Sequence, residues 1–542
     1  MAESSASSTG RTAAHVVRRE WRAPLANRAA IVAPPWADLP RLVATNQRWF
    51  AEHLLTGGID WAAWRAETVR DVLAAAIRYT TEIVGDAPAI APDGPLIVDG
   101  HQPELFHAGV WAKNFAIHRL AERCRGTSLH VIVDNDLLKR TAIRVPAGTV
   151  QSPQFAWEAF DHLPSPRPWE EARVTDAACF DSFAERIARR MGPWGIEPLA
   201  TSAWPAALSQ RTRGDSLVDA LTAARIAVER AWGVANLELP VSRLSGTASF
   251  HRFAALLMLR ANDVARHYND VVHEYRQANH IRSRAHPVPD LANDGAWCEV
   301  PFRVWRAGDS QRQRPFVHRL ANAWELRNER DVIAGWSDSP DDAANAIAAL
   351  AERGIQLRPR ALTLTLFTRL LLADLFVHGL GGAKYDEMTD ALSARLFGAP
   401  PPPYLTISAT AWLPLPDDYP AVAATEIGAL KQRLWALAHN PQRLVDVAHP
   451  LAVEKASLLA APRPAERAAR RQRYLRLREI NAQLAAELTP HREELLQLLR
   501  GLEHVRDAQR VLQNREFSWV LFPEAMLRGF YEETFREWSR SV

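Results

Sequence analysis

The segment PLIVDGHQPELFHAGVWAKNFAIHRLAERC, residues 95–124, and the run LHVIVDND at residues 129–136 decide the fold. Residues 95–100 are an apolar run typical of a buried strand, residues 110–124 place apolar side chains at helical spacing, and residues 129–136 form a second strand-like run. This order predicts two parallel strands with a right-handed crossover. Ligands bind beyond the carboxyl ends of such strands, so residues 100–109 and 134–136 are expected at a ligand site.

The loop at residues 100–109 carries side chains suited to an anion. A helix that begins near Val110 presents free backbone N–H groups, and Gly109 would let an anion approach them closely. Lys113 would add positive charge, while His101 and His107 can donate hydrogen bonds to phosphate oxygens. A neutral histidine is also a candidate general base. Either histidine could equally be an ordinary surface or core residue.

The second strand end supplies carboxylates. Asp134 and Asp136 could hold ribose hydroxyls or orient an amine. The loop lacks both the dinucleotide fingerprint and the P-loop, because only Gly100 and Gly109 flank it and no Gly-Lys-Ser/Thr sequence follows. The histidine spacing matches no zinc motif, so no metal is predicted.

Composition limits the classes of protein that fit. The chain has 542 residues, 47% of them hydrophobic and 23% charged, which is ordinary for a globular protein of about two to four domains. The 65 basic and 62 acidic residues give a net charge of +3, which argues against a dedicated nucleic-acid binder. No stretch is apolar enough for a membrane helix. Three widely spaced cysteines and no export signal predict a cytoplasmic protein.

A later segment is expected to add another strand end to the same site. Residues 237–259 predict a strand, a loop that contains Ser245 and Ser249, and a helix; the alternative is an ordinary capped helix with Ser249 as its N-cap. "PYLTISATAWLPL" at residues 403–415 predicts a strand that returns to the core.

A glycine-rich turn is predicted at residues 379–382, after a long apolar helix that ends at His378. Gly381 and Gly382 could adopt positive φ and bring the backbone close to a phosphate or carboxylate, with Lys384 as a point charge. The same glycines are also typical of a helix C-cap and tight turn.

The C-terminal part carries a heptad pattern, which predicts a coiled coil. Its seam consists of residues at alternating spacings of four and three: Leu477, Asn481, Leu484, Leu488, His491, Leu495, Leu498, Leu502, Val505, Gln509 and Leu512. Pro490 predicts a kink or a new helix with Thr489 as its cap. An antiparallel partner helix is expected at residues 422–459, divided near Asn440.

Such a seam leaves much apolar surface exposed on a monomer, so a homodimer through residues 420–515 is predicted. The basic run ERAARRQRYLRLR at residues 466–478 could bind RNA. Its interleaved glutamates and helical spacing favour a solvated helix face, and no nucleic-acid partner is predicted.

The segment at residues 100–121, followed by VIVDND at residues 131–136, resembles the cysteine-adding enzyme family of bacillithiol biosynthesis, the BshC family. In that family the first βα turn carries a Gly-Gln loop with a later glycine before the helix, and the next strand ends in an acidic cluster. The matching positions are Gly100 and Gln102 for the Gly-Gln pair, Gly109 for the later glycine, and Asp134 and Asp136 for the acidic cluster.

The resemblance implies an α/β fold with a Rossmann-like, HIGH-type nucleotidyltransferase-like parallel-sheet core, an inserted subdomain and an α-helical coiled-coil arm. It also favours the ligand-contact interpretation of the glycine-rich turn. The expected parts are a disordered tail (1–20), the first part of the core (21–265), the insertion (266–355), the second part of the core (356–418), the arm (419–515), and a C-terminal segment that packs back on the core (516–542).

The function implied by the resemblance is that of a ligase-like enzyme, which joins an amino acid such as cysteine to a small anionic amino-sugar acceptor with ATP or another nucleotide. The candidate catalytic residues are His101, His107, Asp134 and Asp136. The candidate binding residues are Gly100, Gln102, Gly109, Lys113, Asn114, Ser245, Gly381, Gly382 and Lys384. The alternative is a nucleotide- or small-anion-binding scaffold protein with a vestigial active site and a dimerising coiled coil, which the absence of a KMSKS-like motif favours.

Overall fold

The structure is a computed structural model that describes residues 22–52, 59–149, 152–163, 165–283, 285–414 and 424–536. The strands are β1 (Ala29–Ala33), β2 (Leu96–His101), β3 (Thr127–Ile132), β4 (Leu137–Leu138), β5 (Ala142–Gly148), β6 (Pro153–Ala159), β7 (Arg167–Pro168), β8 (Leu237–Pro240), β9 (Asn293–Asp294), β10 (Trp297–Glu299), β11 (Phe302–Arg306), β12 (Phe316–Arg319), β13 (Ala323–Arg327), β14 (Val332–Ser337), β15 (Ile355–Pro359), β16 (Leu375–His378) and β17 (Leu405–Thr410).

The helices are α1 (Leu39–Glu52), α2 (Trp61–Val84), α3 (Ala108–Cys124), α4 (Ala177–Asp181), α5 (Phe183–Met191), α6 (Ala200–Arg213), α7 (Leu217–Ala231), α8 (Val241–Leu244), α9 (Ala248–Leu259), α10 (Ala261–Ala278), α11 (Pro340–Glu352), α12 (Ala361–Leu371), α13 (Leu380–Phe397), α14 (Ala424–His439), α15 (Pro450–Ala460), α16 (Arg467–Glu487), α17 (Thr489–Leu512) and α18 (Glu524–Thr534). They form two compact units. The first contains residues up to 145, 157–413 and from 515 onward, and the second contains residues 146–156 and 414–514.

A mostly parallel sheet forms the centre of the first unit. Within the described residues it has six strands in the order β1-β17-β16-β2-β3-β8, and β1 alone runs antiparallel to its neighbour. Numbered by position in the chain, the five parallel strands run 3-2-1-4-5, so the order reverses between β2 and β16. The predicted α/β class is confirmed, and so is the parallel pairing of β2 with β3.

The prediction of one long helix ending at His378 is wrong. Helix α12 ends at Leu371, and Leu375–His378 form β16, which pairs with β2 and β17. A strand at the centre of a parallel sheet is buried on both faces, so its sequence is continuously apolar and resembles that of a buried helix.

The predicted glycine-rich turn is also wrong. Leu380 begins α13 directly after β16, and Gly381 and Gly382 lie in the first turn of that helix. Neither glycine is among the described residues with positive φ. The helix therefore has no glycine loop at its start with which to surround an anion.

Residues 293–359 form an antiparallel insertion between α10 and α12. A five-stranded sheet, counted within the described residues, has the order β14-β13-β12-β10-β9, and β11 pairs separately with β15. Strand β10, the WCE segment, pairs antiparallel with β12, the FVHR segment. The insertion shares one buried apolar core with α2, β2, β3, β8, α9, α12 and α13, so it is packed firmly against the sheet.

The C-terminal segment belongs to the first unit. The Trp519 ring lies 4.5 Å from Trp111 of α3, and Tyr531 stacks on Phe115 at 4.2 Å. The Tyr531 hydroxyl donates a 2.7 Å hydrogen bond to the carbonyl of Ala108. These contacts fix the start of α3, the helix that follows the opening loop.

The second unit contains four consecutive helices, α14 to α17, in its described part. Three ion pairs join α14 and the start of α15 to α17 and α16: Lys431 with Glu503 at 2.9 Å, His449 with Glu487 at 3.0 Å, and Glu454 with Arg476 at 2.7 Å. From Lys431 to Glu454 the residue numbers rise, while those of their partners fall from 503 to 476. The segment α14–α15 therefore runs antiparallel to the segment α16–α17. The sequence predicted either a kink or a new helix at Pro490, and the structure has a new helix, which begins after Leu488. The Thr489 side chain does not cap it.

No helix in the described part of the chain combines the length and apolar character needed to cross a membrane.

Candidate functional site

The candidate site is the carboxyl edge of the parallel sheet. The residues that follow β2, β3 and β8 meet at this edge because the three strands are parallel neighbours. The predicted loop at residues 100–109 and the acidic run at residues 134–136 therefore lie side by side.

Gln102 and Asp136 join the two strand ends directly. The Gln102 side-chain amide donates to Asp136 Oδ2 at 3.2 Å, and the Leu137 amide donates to Asp136 Oδ1 at 2.8 Å. Arg312, from the insertion, places Nη2 3.3 Å from Asp136 Oδ1 and donates through Nη1 to the Asn135 carbonyl at 2.7 Å. We call Gln102, Asp136 and Arg312 the edge triad. The Asp136 carboxylate is half-exposed, so a ligand can reach it.

Asp134 is buried beside the edge triad. Its Oδ1 accepts the Ser242 backbone N–H at 2.9 Å, and its Oδ2 accepts the Ser242 hydroxyl. Burial, together with the negative charge of Glu170, raises the pKa of Asp134 to about 7, while Ser242 and Arg358 act in the opposite direction. A carboxyl group that titrates near neutral pH can both accept and release a proton during a reaction.

His101 is a poor candidate for the general base. Its Nδ1 lies 3.2 Å from the Gln102 carbonyl, and its ring meets Phe106 edge-on at 5.2 Å. Burial and the nearby charge of Lys113 lower its pKa to about 3. The ring is therefore neutral and only weakly basic at pH 7.

His107 performs a structural role at the start of α3. Its Nδ1 accepts the Gly109 backbone N–H at 3.0 Å, which makes His107 the N-cap of the helix. Burial lowers its pKa to about 4, although Glu516 acts in the opposite direction. The backbone donors that were expected to bind an anion are thus engaged within the protein, since Val110 and Trp111 donate to the His107 carbonyl.

Gly109 is needed for packing. A Cβ atom at this position would lie 2.0 Å from the Ala409 carbonyl oxygen of β17. The glycine therefore lets α3 approach the sheet, a packing role that the sequence did not predict.

The other predicted residues of α3 also face the interior. Lys113 Nζ lies 2.7 Å from the Gly100 carbonyl and 3.2 Å from buried Asp99, and the Asn114 amide donates to Glu229 at 2.9 Å. These residues are buried. They hold α3 to the sheet and to α7, and they do not form the predicted anion site.

Ser245 and the residues of α13 are separate from the edge triad. The Ser245 hydroxyl is buried and makes no hydrogen bond with the described residues, and Thr247 instead of Ser249 caps α9. Gly381, Gly382 and Lys384 are exposed on the first turns of α13. A Cβ atom on Gly382 would lie 2.6 Å from His378 Nδ1, so this glycine makes room for the histidine ring.

A cavity of about 470 Å³ opens beside Ser242. Its polar lining includes Arg78, Tyr79, Arg243 and Thr247. Ser242 also binds Asp134, so one residue of the cavity lining contacts this buried carboxyl group.

The arginines of the insertion were missed by sequence reasoning. Arg312 reaches the edge triad, and Arg358 forms a fork with Glu170, with Nε–Oε1 and Nη2–Oε2 distances of 3.0 and 2.8 Å. The signal for Arg358 was the Arg-Pro-Arg sequence at residues 358–360, directly before α12. Its meaning depends on strand pairing, which local sequence does not reveal.

One group of possible metal ligands exists among the described residues. The nearest donor atoms of His162, Asp176 and Cys179 lie within 4.8 Å of one another. Asp176 caps α4 through the Cys179 N–H, and the Arg186 guanidinium lies 3.4 Å from the Cys179 sulfur. A cation beside that sulfur would be repelled by Arg186, so the donor set fits a metal poorly.

Replacing Asp134 with asparagine is expected to change how stability depends on pH. The folded protein keeps a proton on Asp134 up to about pH 7, whereas an unfolded aspartate releases it near pH 4. The contribution of this group to wild-type stability is therefore greatest below about pH 4 and is lost as the pH rises to about 7. Between pH 5 and pH 8 in urea unfolding, the free energy of unfolding of the wild type should therefore fall by about 2–4 kcal/mol more than that of Asp134→Asn.

The control for that measurement is Asp136→Asn, which alters the half-exposed carboxylate at the same strand end. It should retain the wild-type trend. If Asp134→Asn also retained it, Asp134 would be ionised throughout the range.

Comparison with known protein families finds no family that matches this sequence, and no curated protein shows significant similarity to it.

Proposed function

We propose that the protein is a ligase-like enzyme that joins an amino acid, cysteine in the first instance, to the amine of a small anionic amino-sugar acceptor at the expense of ATP. The observation that carries this proposal is the edge triad. It unites Gln102 of the loop after β2 with Asp136 after β3 through a 3.2 Å hydrogen bond, and both positions carry the resemblance to the cysteine-adding family.

The topology supports the same proposal. A strand order of 3-2-1-4-5 is the order of five consecutive strands in a Rossmann-like sheet, and such sheets bind ligands beyond the carboxyl ends of the strands where the order reverses. The antiparallel insertion precedes the fourth parallel strand, and the helices of residues 424–512 precede a return to the first unit. We interpret these as the inserted subdomain and coiled-coil arm of the cysteine-adding family.

The residues divide the chemistry between them. The half-exposed Asp136 carboxylate orients the hydroxyls or ammonium group of the acceptor. Asp134 receives the proton of the attacking amine through the Ser242 hydroxyl, for which its raised pKa is suited. ATP supplies an activating group on the amino-acid carboxylate, and that group leaves as the amide bond forms. This assignment replaces His101 and His107 as the general base.

A second candidate function is that of a nucleotide- or small-anion-binding scaffold protein. The observations that favour it are the low pKa of His101, the capping role of His107 and the interior position of Lys113. These leave the opening loop without the groups that usually bind phosphates.

The reaction is tested by mass spectrometry of purified protein incubated with ATP, the proteinogenic amino acids and a panel of amino-sugar acids. An amide adduct whose formation requires ATP supports the ligase. Tight nucleotide binding without any adduct would favour the scaffold protein.

We further propose that the protein is a homodimer through residues 420–515. Large apolar side chains are exposed on the second unit, with 57% of Trp435 and 58% of Leu498 accessible, and surfaces of this kind are typical of protein interfaces. Light scattering of the full-length protein should report twice the 60.6 kDa chain mass. The double variant Trp435→Lys with Leu498→Lys should be monomeric, and a monomeric wild type at micromolar concentration would contradict the proposal.

A further inference from the structure

The arginines of the insertion form a cluster with more positive charge than its partners neutralise. Arg303 of β11 is directly opposite Arg358 of β15 in the antiparallel register, and like charges in that position repel each other. Arg358 is neutralised by its fork with Glu170. The guanidinium of Arg303 has no hydrogen bond or ion pair with any of the described residues, and the negative charge of Glu299 offsets the repulsion by Arg360 and Arg312 only in part.

Arg360 is the second member of the cluster. It is 8% exposed, and its Nη2 forms an ion pair with buried Glu299. Its Nε and Nη1 are buried and make no hydrogen bond among the described residues. Two buried donors of one guanidinium without an acceptor are costly, since each loses its hydration on folding.

Tyr268 of α10 is the third member. Its hydroxyl is buried without a hydrogen bond of good geometry among the described residues, and it contacts the Arg360 guanidinium only weakly. Burial raises the pKa of Tyr268, and the charges of Arg360 and Arg303 partly oppose that rise, which places the hydroxyl close to both guanidinium groups. Burial and the charges of Arg360 and Arg312 lower the pKa of Arg303 to about 10.

We propose that Arg303, Arg360 and Tyr268 form a binding site for a small oxyanion, the carboxylate or phosphate group of a ligand. Such a group has acceptor lone pairs for the unpartnered donors and a negative charge for the surplus guanidinium. The charge of Arg312 lowers the pKa of Arg303, and the same Arg312 side chain forms an ion pair with Asp136. Arg312 therefore connects this oxyanion site to the edge triad. The oxyanion site is inferred from these residues alone, and only the identification of its ligand as the anionic acceptor rests on the proposed function.

The site also explains where an anionic acceptor can bind when the start of α3 cannot hold it. Lys113 and the N–H groups of that helix are engaged inside the protein, whereas the insertion supplies unpaired donors next to the same strand end. The acceptor would then place its hydroxyls or amine at Asp136 and its acidic group at Arg303.

The test uses full-length protein without ATP or cysteine and titrates inorganic phosphate and succinate separately by calorimetry at constant ionic strength. We expect at least one of the two to bind, and Arg303→Gln to weaken that binding about tenfold or more, the loss expected for a charge-assisted hydrogen bond. Tyr268→Phe should weaken it less. The control Arg306→Gln, which removes an exposed arginine from the same strand, should bind as the wild type does.

The ligand-free variants provide an independent measurement. Arg303→Gln should raise the melting temperature of the ligand-free protein, because it removes a charge that Glu299 offsets only in part. A lower melting temperature, equal binding by wild type and Arg303→Gln, or no binding of either probe at millimolar concentration would overturn the proposal. Oxyanion binding lost in Arg303→Gln, in a protein that forms no amide adduct, would support the site and reject the proposed ligase.

Discussion

Replacing Gly109 with alanine is expected to lower the free energy of unfolding by at least about 3 kcal/mol. The new methyl group would lie 2.0 Å from the Ala409 carbonyl oxygen and 3.0 Å from Arg515 Nη2. The first contact is with strand backbone, so relief requires α3 to move away from β17. That movement would disturb the His107 cap and the aromatic contacts around Trp111.

Gly381→Ala is the matched control, because Gly381 also lies in the first turn of a helix that follows a parallel strand. A Cβ atom there has no neighbour within 4 Å, and alanine favours a helix by about 1 kcal/mol over glycine. Urea unfolding should therefore show opposite signs for the two variants. A wild-type-like Gly109→Ala would show that the approach of α3 to β17 is looser than the structure indicates.

Replacing Asp134 with asparagine is expected to lower the rate of amide formation by about 10²–10⁴-fold, the usual contribution of a general base. The carboxyl group is the acceptor of the Ser242 hydroxyl, and its pKa of about 7 is close to the pH at which the enzyme would work. Wild-type kcat should rise with pH to a plateau above about pH 7, and this rise should be absent from the residual activity of the variant.

His101→Gln separates this assignment from the histidine hypothesis. The histidine ring has a pKa of about 3, so it cannot produce a titration near pH 7. If His101→Gln abolished the rise near pH 7 and Asp134→Asn retained it, the base would be the histidine.

The sequence allowed the central part of the fold to be predicted because the pattern there is local. The run before Gly100, the periodicity of α3 and the run before Asp134 are each contained within one element, and the first parallel pair follows from them. The strand β16 was missed because its four residues continue the apolar character of α12. Only its place between β2 and β17 distinguishes it from a helix.

The strand ends that form the candidate site were predicted, but not all of the residues that reach them. Gln102, Asp134 and Asp136 follow directly from the ends of β2 and β3. Gly109 and Lys113 were assigned to an anion because sequence shows a glycine and a lysine at a helix start, whereas their partners, Ala409 and Asp99, become neighbours only after folding. The arginines reach the same edge from more than 150 residues away in the chain, as the contact of Arg312 with Asp136 shows.

The most direct test of the central claim, that the edge triad is the ligand site, is a crystal structure of the full-length protein soaked with cysteine and an amino-sugar acid. We expect the sugar within hydrogen-bond distance of Asp136 and Gln102 and its acidic group on Arg303. Ligand density confined to the cavity beside Arg78 and Arg243, with the edge triad unchanged, would contradict the claim.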